Sequence, residues 1–388
     1  MKILHLCMSC FYIDGYAYQE NELVRQNIRD GHEVEVVASV ENYNQDGKLY
    51  YGEPGVYVGS DGAKVTRFPY KFDFFGFIGK KLRIHRGLYK KIESFAPDVI
   101  LFHGACGWEI NTAAKYVSRN KNTVLYVDSH EDFINSARGF VSKWVLHWAY
   151  YRPILLRNLK KIQMVLPVSV SCFEFMRDFY GVPSEKLEFY PLGGMVPDEA
   201  EYATARAVAR TRLGVAEDQI IFVQSGKIGA EKKLVEALQA FRKLDDPSLR
   251  FFVAGLILPE VQKQVEDLVA ADPRVELLGW QSPEDLRNLL CAADVYSQPG
   301  TQSATMQMSI AHRCAVILDD VSSHEPYVDG NGWLVGRSLA LDEAFAEAVA
   351  RKDDLKAMAQ NSYKIALRLL DYRLLAARLY QPPAKTKG

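Results

Sequence analysis

The sequence predicts an α/β protein built from two Rossmann-like domains facing each other across a cleft. Three observations carry this. The chain has 388 residues, room for two domains at roughly 150 residues each. Short β-rich runs alternate with amphipathic helical stretches, the pattern of parallel α/β sheets. The alternation also starts twice, once at the N-terminus and again near residue 219.

In the first half, ILHLCM reads as a strand and Asp14-Gly15-Tyr16 as a turn. YQENELVRQNIRD follows as a helix ended by Gly31, then EVEVVAS as the second strand. DVILFH, NTVLYVD and QMVLPVS are expected strands of the same sheet. The second series is IIFVQSG, LRFFVAG, VELLG, DVYSQPG and CAVILDD, with LVEALQAFRKL a helix between the first two. Pro191-Leu192-Gly193-Gly194 forms a natural hinge, and residues 197–214 a helical, Ala- and Arg-rich connection. One amphipathic helix is expected over about 360–380. The expected domains are therefore 1–194 and 195–370. Residues 371–388 form a helix end and tail, placed to pack back on the first domain.

Composition removes several function classes. Lys plus Arg is 47 and Asp plus Glu is 48, a net charge of −1. A globally basic nucleic-acid binder and an acidic disordered chain are both excluded. No run of 18 apolar residues is present, and MKILHLCMSCFYIDG reads as a first strand rather than a signal peptide. Six cysteines suggest a reducing, cytoplasmic setting. Cys7 and Cys10 make a single C-x-x-C without the second pair a zinc site needs, so they read as packing thiols.

Ligands of open α/β sheets bind at the carboxyl ends of the strands, and the polar groups there fall into four sets. Gly15, after the first strand, allows close backbone approach to a ligand, although no G-x-G-x-x-G follows it. Gly226-Lys227 with Lys232 and Lys233 at a helix start suits a diphosphate. Gly300-Thr301-Gln302-Ser303 opens the helix ATMQMSIAH and makes a second anion site, with plain capping by Ser303 the simpler alternative. His103 and His130 stand just past strand ends. His130 has Asp128, Glu131 and Asp132 beside it, but a loop lacks the rigid spacing of a metal site, and no metal is expected.

Two stretches point to an anionic membrane surface. Residues 71–91 hold four Phe and seven Lys or Arg against one Asp. Between Phe133 and Phe173 there is no acidic residue, but six Lys or Arg accompany Trp144, Trp148, Tyr150 and Tyr151.

Several segments together resemble the retaining family 4 glycosyltransferases of GT-B fold, from residue 1 to about 380. RDGHEVEVVAS, PDVILFHG, NTVLYVDSH, YGVPSEKLEFYPLGG, GKIGAEKK, VELLGWQSPEDLRNLLCAADVYSQPG and YVDGNGWLV carry the likeness by their order and spacing. The resemblance implies that Lys227 and Lys232 hold a donor diphosphate, helped by amides at Thr301–Ser303. It implies that His130 is the active-site histidine, that Gly15 lines the donor-sugar side, and that Leu278–Trp280 borders the base. It further implies a nucleotide-sugar donor, no cofactor, no metal and front-face attack in which the leaving phosphate takes the acceptor proton. The acceptor is then a lipid-linked or cell-surface glycan, at the inner face of the cell membrane.

One departure stands out. The family's E-x7-E glutamates fall at Gly300 and Met308, so neither carboxylate is present; Gln302, Gln307 and Ser309 are the neutral groups nearby. The alternatives left open are a non-catalytic partner of the same fold, or a nucleotide-sugar epimerase or hydrolase.

Overall fold

A computed structural model describes residues 1–43, 48–72 and 76–381, the side chains of Phe77 and Ile78 aside. The chain divides into two compact units. One comprises Met1–Pro191 with the chain from Leu375 on; the other is Leu192–Leu374.

In chain order the first unit contributes β1 (Lys2–Cys7), β2 (Glu33–Ser39), β3 (Glu41–Tyr43), β4 (Leu49–Tyr51), β5 (Gly55–Val58), β6 (Lys64–Phe68), β7 (Val99–Phe102), β8 (Val124–Ser129) and β9 (Val165–Pro167). Seven of these form one sheet in the order β5-β6-β2-β1-β7-β8-β9, while β3 and β4 pair separately. Only β5 runs antiparallel within the large sheet. The second unit contributes β10 (Ile221–Ile228), β11 (Arg250–Ile257), β12 (Val275–Gly279), β13 (Val295–Gln298), β14 (Ala315–Asp319) and β15 (Gly332–Val335). They form a wholly parallel sheet, β12-β11-β10-β13-β14-β15.

Renumbered within each unit, the six parallel strands of both sheets follow 3-2-1-4-5-6, the doubly wound Rossmann order. The topology therefore places a switch point between β1 and β7, and another between β10 and β13. Covered on both faces, the inner strands are continuous apolar runs; Val99–Phe102 and Val295–Gln298 are buried throughout. The first core gathers Leu4, Leu6, Ile100, Phe102, Leu125 and Val127. The second is built round Phe222, Phe241, Phe251 and Phe345, whose ring centroids lie 5.1–6.4 Å apart.

The connection after the hinge is a helix over Glu199–Leu213, started by an Asp198–Glu201 capping box and stopped by Gly214 at φ 65°. The single helix expected over 360–380 is corrected to two, Leu355–Leu369 and Tyr372–Tyr380. The break is fixed by backbone pairing: Gly194 N–H donates to Leu370 O, and Asp371 bridges to Gly194. Beyond it, Leu375, Ala376 and Leu379 are buried, and Tyr190 donates to Leu375 O at 2.7 Å. Residues 382–388 of the expected tail lie outside the described residues, as do Phe74 and Phe75 of the 71–91 stretch.

Candidate functional site

Two sets of side chains gather at carboxyl strand ends, one in each unit. In the first unit, β1 carries His5, and His103 follows β7. Asp128 is next to last in β8 and His130 follows the strand. Their contacts form a line. Asn27 Nδ2 lies 2.9 Å from His5 Nε2, and His5 Nδ1 lies 3.0 Å from His103 Nε2. His103 Nδ1 lies 2.5 Å from Asp128 Oδ2, while Gly104 N–H donates to Asp128 Oδ1 at 2.7 Å. On the other side, His130 Nε2 stands 3.6 Å from Asp128 Oδ1 and 3.9 Å from Glu20 Oε1.

The electrostatics follow from this geometry. Burial opposes charge on His103, but Asp128 and its neighbours outweigh it and hold the ring up to about 10. Burial likewise opposes charge on His130, yet Asp128, Glu20 and Glu131 bring it to about 9. Asp128 is buried, which raises it, but His103 and His130 pull it well below the usual carboxylate range. His5 is pushed far down, by burial first and by charged His103 second. With His103 charged, the proton pattern closes when the Asn27 amide turns over. Its Oδ1, buried and unpartnered, then accepts from His5 Nε2–H, and His5 Nδ1 accepts from His103.

His130 is half-buried, with Nε2 enclosed against the two carboxylates, so Nδ1 is the ring nitrogen left to meet a ligand. Glu131 is fully occupied by Ser129 Oγ, Ala105 N–H and Cys106 Sγ. Asp132 takes the amides of Ile134 and Asn135. The loop carboxylates beside His130 are thus spent on the loop itself. Gly15 sits exposed in the β1 loop at φ 81°, with Tyr16 N–H closing a turn onto Ile13 O.

In the second unit, the loops after β10 and β13 are joined. Thr301 N–H donates to Glu231 O at 3.0 Å, and Lys232 Nζ to Thr301 O and Gln302 O at 2.7 and 3.0 Å. Gly300 makes the approach possible: a Cβ there would lie 2.2 Å from Glu231 O and 2.8 Å from Lys232 Cα. Ser303 caps the helix Ala304–Ala311, its Oγ accepting from Met306 N–H at 3.2 Å. Burial lowers Lys232 from its ordinary value. Lys233, at φ 51°, pairs with Asp319 at 2.7 Å. Lys227 is exposed at the end of β10, in register with Leu256, itself 52% exposed. Trp280, just past the end of neighbouring β12, is 76% exposed.

Of the neutral groups Gln302, Gln307 and Ser309, Gln307 donates to Tyr327 O–H at 2.6 Å and Gln302 at 3.2 Å. Ser309 is turned back onto Met306 O within its own helix, so it is corrected from a stand-in to a structural hydroxyl. Lys232, Gly300, Thr301, Gln302 and Ser303 therefore come together, whereas Lys227 reaches solvent alone.

The sequence of the first unit matches the model of glycosyltransferase family 4 over residues 15–193. That of the second matches the model of group 1 glycosyl transferases over residues 217–352. Each half is a glycosyltransferase domain. No curated protein is significantly similar in sequence. Solved structures share the fold across both glycosyltransferase domains. Anabaena Alr3699/HepE in complex with UDP is similar at TM-score 0.66 and 13% identity, over 98% of this chain and 99% of that one. A glycosyltransferase from Rickettsia africae ESF-5 gives 0.66 and 13%, over 97% and 96%. WaaG, a glycosyltransferase involved in lipopolysaccharide biosynthesis, gives 0.63 and 15%, over 98% and 100%. The architecture is GT-B.

Sequence reasoning missed His5, Asn27 and Glu20 in the first glycosyltransferase domain, and Tyr327 in the second. The only signal for His5 was a polar residue inside an apolar strand. Its partner stands 98 positions away, and a contact of that range is set by the sheet order rather than by local pattern.

Proposed function

We propose that the protein is a retaining transferase that moves a sugar from a nucleotide-sugar donor to a lipid-linked glycan at the inner face of a membrane. The observation that carries this is the joined loop pair after β10 and β13, at the switch point of the second sheet, with Lys232 on it and Lys227 exposed near the end of β10. Lys232 has three N–H donors and gives two to loop carbonyls, which leaves one for a diphosphate oxygen. Lys227 adds an exposed charge, and the start of the helix Ala304–Ala311 adds amide donors.

In the reaction the bond from the anomeric carbon to the diphosphate breaks as the acceptor oxygen bonds to the same face. The acceptor proton passes to a leaving phosphate oxygen. The lysines stabilise the charge that develops on the diphosphate, and His130, positive at neutral pH, donates from Nδ1 to the sugar. No step requires a carboxylate nucleophile or a metal. A membrane-facing acceptor is supported by Phe140, Val141, Trp144, Val145 and Trp148, all exposed on one face, in a stretch without acidic residues. Among the described residues no helix is long and apolar enough to cross a membrane.

Thermal unfolding with UDP, GDP, ADP, dTDP and CMP tests the donor site. A nucleotide at 100 times its dissociation constant adds about 2.7 kcal/mol, and the shift should vanish in a Lys227→Ala, Lys232→Ala double variant. No shift with any of the five would favour the non-catalytic partner.

A further inference from the structure

We infer that Arg83 anchors a phosphate-binding site in the first unit, at the switch point between β1 and β7, and that it takes a phosphate group carried by the acceptor. This rests on the transferase reading and names the acceptor's class: a glycan or carrier that bears a phosphate.

Arg83 is a non-glycine residue at φ 51°, held there by its surroundings. Tyr151 O–H donates to Lys81 O at 2.5 Å and Tyr150 O–H to Leu82 O at 3.0 Å, fixing the chain just before it. Its Nη1 donates to Ser9 O beyond β1 at 2.5 Å and to Cys106 O beyond β7 at 2.9 Å. Those bonds use one of the two terminal nitrogens. Among the described residues the remaining N–H groups, on Nε and Nη2, meet no acceptor, and no carboxylate lies within ion-pair distance. A guanidinium that is neither paired with a carboxylate nor spread over the surface is poised for an anion, because it presents a fixed fork of donors.

Two further donors without acceptors adjoin it. Ser9 Oγ is buried and unpartnered. The 11-residue helix Glu109–Arg119 begins at Trp108 with no side-chain cap; Asn111 N–H is taken by Trp108 O at 2.9 Å, which leaves the amides of Glu109 and Ile110 at its start. The Glu109 carboxylate is turned onto His85 N–H at 2.6 Å and Thr112 Oγ at 2.5 Å. Gly107 lets these groups pack closely: at φ 158°, a Cβ would stand 2.5 Å from Ser9 Oγ and 3.4 Å from Arg83 Cβ. The Glu131 carboxylate faces Cys106 Sγ and its own loop. Guanidinium, hydroxyl and helix start thus lie together at the carboxyl ends of β1 and β7, and they are the donors a tetrahedral oxyanion needs.

The test starts from the Lys227→Ala, Lys232→Ala protein, so that phosphate binding at the second unit is removed. Inorganic pyrophosphate titrated calorimetrically should still bind, and Arg83→Gln should weaken it at least about tenfold, as loss of a charge-assisted hydrogen bond implies. Arg83→Lys should restore part of it. Unchanged affinity in a folded Arg83→Gln protein overturns the proposal. Should that variant not fold, tungstate soaked into crystals of the natural protein decides. Density within hydrogen-bond distance of Arg83 Nη2 supports the site, and tungstate bound only elsewhere overturns it. Phosphatidylcholine vesicles with and without a long-chain alkyl phosphate separate the sources. Capture that depends on both the alkyl phosphate and Arg83 assigns a lipid phosphate, and pyrophosphate binding without capture assigns a soluble one. Nucleotides that fail to bind while pyrophosphate still reports Arg83 would sink the transferase reading and leave this site standing.

Discussion

Asp128 serves two histidines at once, and that sharing sets the chemistry of the first site. A carboxylate between His103 and His130 keeps both rings charged where an ordinary histidine, near 6.5, is largely neutral. Because the folded-state values of about 10 and 9 are raised, their contribution to stability is complete below the unfolded value. It is lost as pH rises through 9 to 10. Asp128 is depressed, so its own contribution is present above the ordinary carboxylate value and lost on acidification. Asp128→Asn should therefore bring both histidines back towards neutral at pH 7, read by NMR titration of the ring protons. It should cost about 3 kcal/mol, since it leaves a buried partner alone, and flatten the fall in stability between pH 8 and 10. Raised values that persist in the variant would show that Asp128 is not their cause. Gly300 makes the second residue-scale case. Gly300→Ala should cost about 1–3 kcal/mol through overpacking against Glu231 O, measured by urea unfolding. Gly300→Glu should lower stability and not raise activity, because the two loops no longer close.

At the scale of elements, the helix Val141–Tyr151 divides its surface between two tasks. His147 and Tyr151 are buried in the first core, with Tyr151 tied to Lys81. Trp144 and Trp148 are 42% and 48% exposed, and Lys143 lies over the rings of Phe133 and Trp144 at 4.7 and 5.2 Å. Replacing both tryptophans with Ser should change stability by no more than about 0.5 kcal/mol each. The same change should reduce sedimentation with anionic vesicles markedly; undiminished sedimentation would remove this face from the membrane reading. The composition of this stretch was legible from the sequence, since acidic residues are absent from it. Which of its aromatics are buried was not, because both faces carry aromatic residues and periodicity alone does not rank them. The strands show the same contrast. Buried runs such as VILF and IFVQS announce themselves, whereas β6, with Lys, Thr and Arg among its residues, and four-residue β15 are recognisable only through the strands they pair with.

Across the whole molecule, the chain returns to its first unit at the end. Leu375, Ala376 and Leu379 are buried there, Arg378 pairs with Glu188 at 2.5 Å, and Tyr380 O–H donates to Asp30. Ending the chain at Leu374 should cost about 3–6 kcal/mol for the two leucines. The loss should appear as faster hydrogen exchange in β1, β7 and β8. Protection unchanged in those strands would show that the last helix adds nothing to the unit. By itself the sequence determined the alternation of strands and helices, its repetition and the loops at the carboxyl strand ends, because each is written in hydrophobic period and turn chemistry over a few residues. Tertiary structure alone decided which distant residues meet. His5 joins His103 and Asp128, Gly300 closes on Glu231, and Arg83 reaches Ser9 and Cys106. Those meetings depend on strand order in a parallel sheet, where neighbours in space are separated in sequence by whole crossover helices.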